Sequence, residues 1–349
     1  VGSNKALRVL ELISRKYANK KPKLSSVALL SLDAAAEELG ITKDQLADRI
    51  IPNFDFDGTY REIEVEGETY RAYINNEFRM IYTNESNKSR KSLPRGASPE
   101  LKKEFKEIEK EVKAIVKSQE DRLQRYMIAG RTWNGADWER FFFNNPIMFV
   151  YATQLIWAKV DDLGKILEVF YCDEDSEKFN YEDDEVEIEN KDKICILHPC
   201  NLTDEHLQQW KNKAFEDQLK TIFPILDREI LRKLPEELDL NTSTRFIKQE
   251  IPRGADYTVS YMNRKGYIKS TEDGGYLQYR KELTSPAITV FPNIEGPAAW
   301  YQNNEAKAFI HEISFRGEKY TDTVTIADVP DAFYSEIMVD MKNLIEDQG

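Results

Sequence analysis

Cysteine is scarce in this chain, with only Cys172, Cys195 and Cys200 among 349 residues. An odd and sparse set suits free thiols in a reducing compartment better than a disulfide scaffold, so a cytoplasmic location is expected. Long apolar runs are missing too: no stretch approaches the roughly 18 residues that a membrane-spanning helix requires. The first residues show no signal-peptide pattern, so no secretory leader is expected. Val1-Gly2-Ser3-Asn4 flows directly into periodic sequence, the expected look of a fragment of a longer protein. The Asn-x-Ser/Thr triplets at Asn84, Asn201 and Asn241 are then expected to carry no sugar.

Positive charge is in deficit, with 49 basic against 62 acidic residues and a net charge of −13. Holding a phosphate backbone takes clustered Lys and Arg, so nucleic acid is excluded as an expected partner. The short basic runs, Lys20, Lys21 and Lys23, then Lys88, Arg90, Lys91 and Arg95, are read as solvated surface rather than anion contacts. Nucleotide and phosphate fingerprints are missing: no G-x-G-x-x-G, G-x-x-x-x-G-K-[ST] or G-x-S-x-G occurs. Zinc motifs of the H-E-x-x-H or paired C-x-x-C type are missing as well. No cofactor is expected.

What is present is enough apolar sequence, 41% of residues, to bury a sizeable core. Leu7, Leu10, Ile13 and Tyr17 recur at helical spacing, a second helix follows Pro22 and stops near Gly40, and Thr42-x-x-Gln45 reads as a capping box. Between Asp57 and Pro94 the period changes to two, predicting a small antiparallel meander. Ser98-Pro99 starts a long helix that runs to Gly130. Its stripe, Leu101, Phe105, Ile108, Val112, Ile115, Gln119, Leu123 and Tyr126, is read as packing within its own domain rather than as a coiled-coil seam.

Two helices are expected over Asn134–Asn145 and Pro146–Trp157. Strands follow at Lys165–Tyr171 and Lys193–Leu197, flanking an acidic hairpin tip, Asp173–Asp192. Helices from Thr203 and over Asp217–Ile230 come next. Strands are expected at Gly275–Leu283, Ala287–Phe291, Ala308–Phe315 and Asp322–Ile326, punctuated by Gly274-Gly275 and Gly296-Pro297. A closing helix from Pro330 carries Phe333, Ile337, Met341 and Leu344. Strands and helices segregate more than they alternate, which predicts an α+β fold. The expected division is a helical lead-in with the β meander over residues 1–96, then a larger mixed helical and antiparallel-sheet domain over 97–349.

Cys195, His198 and Cys200 are the one grouping of metal-capable residues, with Cys172 nearby if the two strands pair. Strand periodicity turns Cys195 away from His198, so no metal site is expected. A binding-site candidate gathers at element ends: Arg131, Trp133, Asp137, Trp138, Asn145, His198 and Trp210. The competing and stronger reading makes Trp133, Trp138, Trp157 and Trp210 core anchors, with Arg131 and His198 satisfying buried carbonyls around them, because Trp is highly buried on average.

The segments KSRKSLP (Lys88–Pro94), QEDRLQRYM (Gln119–Met127), RTW at Arg131, NNPIM at Asn144, LIW at Leu155 and ILHPCNL at Ile196 together resemble a bacterial family. It is the MolR-like (molybdate metabolism regulator-like) domain of unknown function, DUF4132. ALRVLELISRKY (Ala6–Tyr17) and VPDAFYSEIMVDM (Val329–Met341) share the likeness. The resemblance implies a bacterial cytoplasm and long multi-domain relatives, but no activity or catalytic residue to transfer. No Trp-Gly-Arg tripeptide occurs, so roles tied to that module do not carry over. In TIFPILDRE (Thr221–Glu229) this chain keeps Arg228 where relatives look richer in Gln, and Arg228 joins the candidate positions.

The expected function is a non-catalytic binding or scaffolding module of a larger bacterial cytosolic protein, with a protein partner or other domains of the same chain as ligand. The alternatives are an enzyme that uses His198, Arg131 and carboxylates such as Asp137 in a cleft, and a regulator linked to molybdate metabolism.

Overall fold

The structure is a computed structural model and describes residues 3–17, 20–273, 276–283, 286–295, 307–319 and 321–346. The expected turns at Gly274-Gly275 and Gly296-Pro297, and the expected cut end at Val1-Gly2, lie outside these residues. The chain forms two compact units. Unit 1 comprises Val1–Arg125, Thr132–Leu197 and Gln208–Ile225; unit 2 comprises Tyr126–Arg131, His198–Leu207 and Leu226–Gly349. The fold is α+β, with helices set beside antiparallel sheets, as the segregated pattern predicts.

Unit 1 opens with α1 (Asn4–Lys16), α2 (Pro22–Leu39) and α3 (Lys43–Arg49). Gly40 takes the left-handed conformation that closes α2, at φ 65°. Thr42 Oγ1 accepts from Gln45 N at 3.1 Å while Gln45 Oε1 accepts from Thr42 N at 3.0 Å, the reciprocal box anticipated at the start of α3. Leu7, Leu32, Ala35, Ala36, Leu46 and Ile50 form a shared apolar cluster.

The meander follows as β1 (Tyr60–Val65), β2 (Glu68–Ile74), β3 (Met80–Asn84) and β4 (Ser89–Arg90), joined in that order. Alternation buries Ile63, Val65, Tyr70, Ala72 and Ile74 and leaves Glu62, Glu64 and Arg71 exposed. The long helix α4 (Pro99–Ala129) starts where Ser98 Oγ accepts from Leu101 N at 3.1 Å. Of its stripe, Phe105, Ile108, Val112, Ile115, Gln119 and Leu123 are buried within unit 1, and Tyr82 meets Phe105 edge-on at 5.6 Å. The expected packing stripe is therefore what forms.

A second sheet is built from β5 (Thr132–Asn134), β6 (Ile156–Val160), β7 (Ile166–Cys172), β8 (Lys178–Phe179) and β9 (Lys193–Ile196), in the order β5-β9-β6-β7-β8 and antiparallel throughout. Helices α5 (Gly135–Phe142), α6 (Pro146–Ala152) and α7 (Asp204–Glu216) accompany it. The first residues of α7, 204–207, belong to unit 2. Two expectations fail here. The helix over Pro146–Trp157 ends at Ala152, and Ile156 and Trp157 join β6, where they pair with Tyr171 and Phe170. The helix over Asp217–Ile230 does not form: Gln218, at φ 53°, ends the run of α7, and Pro224 lacks the N–H that the interior of the expected helix would need.

The acidic segment is not a simple tip between paired β7 and β9, because β6 separates them. It makes two successive Asx turns, in which Asp173 Oδ1 accepts from the amides of Asp175 and Glu177, and Asn180 Oδ1 from those of Glu182 and Asp184.

Unit 2 contains β10 (Thr242–Ser243), β11 (Glu250–Ile251), α8 (Gly254–Arg264), β12 (Ile268–Asp273), β13 (Tyr276–Leu283), β14 (Ile288–Glu295), β15 (Ala308–Arg316) and α9 (Asp331–Glu346). Its sheet runs β10-β15-β14-β13-β12, with β11 also on β15. Val290, Ile310, Ile313 and Phe315 share a core with Ile337, Met338, Met341 and Leu344 of α9 and with Tyr261 and Met262 of α8. Helix α8 carried no sequence expectation. The strand expected over Asp322–Ile326 reduces to one isolated bridge, Arg316 to Thr323, before a 3-10 turn at Ile326–Asp328.

Candidate functional site

The eight candidate positions are divided between the two units. Trp133, Asp137, Trp138, Asn145 and Trp210 belong to unit 1; Arg131, His198 and Arg228 belong to unit 2.

In unit 1 the tryptophans are structural. Trp138 lies 5.3 Å from Trp157 and 5.7 Å from Phe170, both edge-on, and Phe142 lies 4.8 Å from Trp157. Trp210 packs near Tyr171 and Tyr181 at 6.5 and 6.0 Å. These edge-to-face contacts between buried rings are core packing. Asn145 caps α6, accepting from Ile147 N and Met148 N at 3.0 and 3.1 Å, while its amide donates to Pro52 O at 3.1 Å. Asp137 accepts from Asn134 Nδ2 at 2.9 Å and pairs with Arg140, so it closes the first turn of α5.

Trp133 uses its polar edge. Its Nε1 donates to Asp48 Oδ2 at 3.0 Å, and Arg122 Nη1 donates to Asp48 Oδ1 at the same distance. Asp48 and Arg122 were not anticipated. The available signal is local: Asp48 stands between Leu46 and Ile50, both buried, and Arg122 beside the stripe residues Gln119 and Leu123. A charge in such a setting must find an opposite partner.

In unit 2 the last turn of α4 sets Arg131. Gly130, at φ 63°, closes the helix, Arg131 N donates to Tyr126 O at 3.0 Å, and the guanidinium lies 4.1 Å over the Tyr126 ring.

His198 and Arg228 do meet, on a residue that sequence reading missed. Glu336 Oε1 of α9 lies 3.3 Å from His198 Nε2 and accepts from Arg228 Nη1 at 3.1 Å. The expectation that His198 satisfies a carbonyl is thus replaced by a carboxylate. Cys200 N donates to His198 Nδ1 at 3.3 Å. A backbone N–H can only donate, so Nδ1 is the acceptor and Nε2 carries the proton that Glu336 receives. The Cys200 thiol lies 2.9 Å from Nδ1 and 3.2 Å from Asn201 Oδ1. Arg228 Nε is buried and makes no hydrogen bond.

The electrostatics agree with this geometry. Burial lowers the affinity of His198 for a second proton, outweighing the opposing pull of Glu336, so the ring is held below its ordinary value. Burial resists ionisation of Glu336, but the hydrogen bond from His198 and the charge of Arg228 together prevail and keep its carboxyl below the ordinary range. Burial pushes the Cys200 thiol up to about 12. A neutral imidazole between an ionised Glu336 and a protonated Cys200 thiol follows.

One turn along α9, Asp340 accepts from Lys281 Nζ at 3.1 Å and Tyr267 OH at 3.2 Å and pairs with Lys265 at 3.1 Å. Ser335 accepts from Leu231 N at 3.0 Å, and Tyr334 OH donates to the buried Glu237 at 2.6 Å. The signal for this network is that Ser335 and Asp340 stand directly beside apolar positions of α9 that the core takes in. Cys195 lies in unit 1, and β7 and β9 do not pair, so Cys172 is not brought beside it by strand pairing. Among the described residues no group of three or more His, Cys, Asp or Glu is arranged to hold a metal ion. Among the same residues no helix is long and apolar enough to cross a membrane.

The family whose description is "Domain of unknown function (DUF4132)" matches residues 88–267, just over half the chain. The chain belongs to that family. It is 23% identical over 346 residues to the uncharacterized protein YehI of Escherichia coli (strain K12), covering 94% of this chain and 27% of that protein. The chain therefore spans about a quarter of the length of that relative. No solved structure matches it.

Proposed function

We propose that this chain is a non-catalytic binding or scaffolding module within a larger bacterial cytosolic protein. One observation carries the reading: Glu336 of α9 takes hydrogen bonds from both His198 and Arg228, so the cluster braces α9 against the loops bearing those two residues. The free thiols Cys172, Cys195 and Cys200 support a reducing compartment. The far greater length of the related protein supports other domains of the same chain, or a protein partner, as what the module engages.

The competing reading is an enzyme that uses His198 and Arg131. Purified chain is expected to leave phosphoester, glycoside and nucleotide substrates at the uncatalysed background, and His198→Ala to lower thermal stability instead. Turnover by the chain that Arg131→Ala or His198→Ala abolishes would contradict the proposal. The resemblance to the MolR-like family supplies a third reading, a regulator linked to molybdate metabolism. Equilibrium dialysis is expected to show no retention of molybdate, since Arg228 is already opposed by Glu336.

A further inference from the structure

The outward face of α2 is apolar, and its flanking charges are set against its own helix. Leu24, Val27 and Leu30 are exposed, Val27 at 60% and Leu30 at 67%, while Ser25, Ala28, Leu32, Ala35 and Ala36 fill the buried side. A helix whose inward face is complete has no internal use for a second apolar stripe. Helix α1 adds Val9 and Leu12, exposed as well.

The charges say what would cover the stripe. The helix dipole favours acids in the first turn and bases in the last. Helix α2 has neither, and carries the reverse: Lys21 and Lys23 at its start, Glu37 and Glu38 at its end. Lys23 lies seven residues before Leu30 and Glu37 seven residues after it. Seven residues make two turns, so Lys23, Leu30 and Glu37 lie on one stripe with the apolar residue at the centre. Rotated by a two-fold axis through Leu30, a second α2 would run antiparallel to the first, Lys23 beside Glu37 of the copy and Leu30 against Leu30. Val27 would then come beside Ala34, which is also exposed. A charge order unfavourable within one helix becomes favourable between two antiparallel ones, the self-complementarity that an isologous contact requires.

We propose that the α2 face is a homodimer contact, its occupant a second copy of this chain in antiparallel register centred on Leu30. The proposal concerns a surface apart from the His198 cluster, so either can fail without the other.

Sedimentation velocity on the 349-residue chain over a wide concentration range tests it. A reversible monomer–dimer equilibrium is expected, and Leu30→Glu should abolish it. Lys23→Glu alone, or Glu37→Lys with Glu38→Lys, should weaken association about tenfold or more by setting like charges together. All three together should restore it. Each reversal also corrects the match to the dipole of α2, so the thermal midpoint should hold or rise, which separates a lost contact from a lost fold. A chain that stays monomeric throughout, leaving its face to some other occupant, would overturn the proposal. So would charge reversals without effect, or a triple variant that does not regain the dimer.

Discussion

In unit 1 Arg122 and Asp48 pair at 3.0 Å with side chains 2% and 4% exposed. In unit 2 Glu336 and Asp340 of α9 each collect several donors, and Glu336 keeps 15% of its side chain open. A closed pair in a low-dielectric setting is costly to break, because the survivor is left charged and dry. A carboxylate shared among donors near solvent loses less when one partner goes, since water and the other donors redistribute.

The largest expected effect sharpens the first half of that contrast. Asp48→Ala should cost about 3–5 kcal/mol in chemical denaturation, since it breaks a buried ion pair and removes the acceptor of the hydrogen bonds from Arg122 Nη1 and Trp133 Nε1. Glu336→Ala should cost less, about 1–3 kcal/mol, with faster hydrogen exchange concentrated in α9 and the segment around His198. Equal losses from the two substitutions would break the contrast. Asn145→Ala should remove about 0.5–2 kcal/mol as a lost helix cap, measured in the same way.

The smallest effect is the pH dependence that the His198 cluster contributes. His198 has a folded-state proton affinity below that of the unfolded chain, so between its folded value and about 6.5 the unfolded state binds more protons. Stability is then complete above about pH 6.5 and declines as the pH falls through that window. Glu336, also lowered, extends the decline in the same direction at more acid pH. His198→Gln should flatten the upper part of that slope in denaturation midpoints collected across the range.

Local signals were readable in the sequence. The capping box at Thr42, the left-handed Gly40, the Ser98-Pro99 start of α4 and the apolar stripe of α9 each depend on residues within a few positions of one another. Trp157 misled because an apolar run adjoining a helix looks helical until strand partners are known. The His198 cluster was half legible. Its His and Arg were noticed as unusual, but Glu336 lies 138 and 108 residues away from them in sequence, and no periodicity links positions so far apart. Asp48 and Trp133, 85 residues apart, were hidden for the same reason.

The claim that His198 is a neutral ring tied to α9 through Glu336 is tested most directly by nitrogen-detected NMR of its imidazole during a pH titration. With only three histidines in the chain, single substitutions assign the signals. The account predicts an Nε2–H tautomer at neutral pH and a titration midpoint below that of free histidine, moved by Glu336→Gln. A proton on Nδ1, or a midpoint at or above the free value that is indifferent to Glu336, would contradict it.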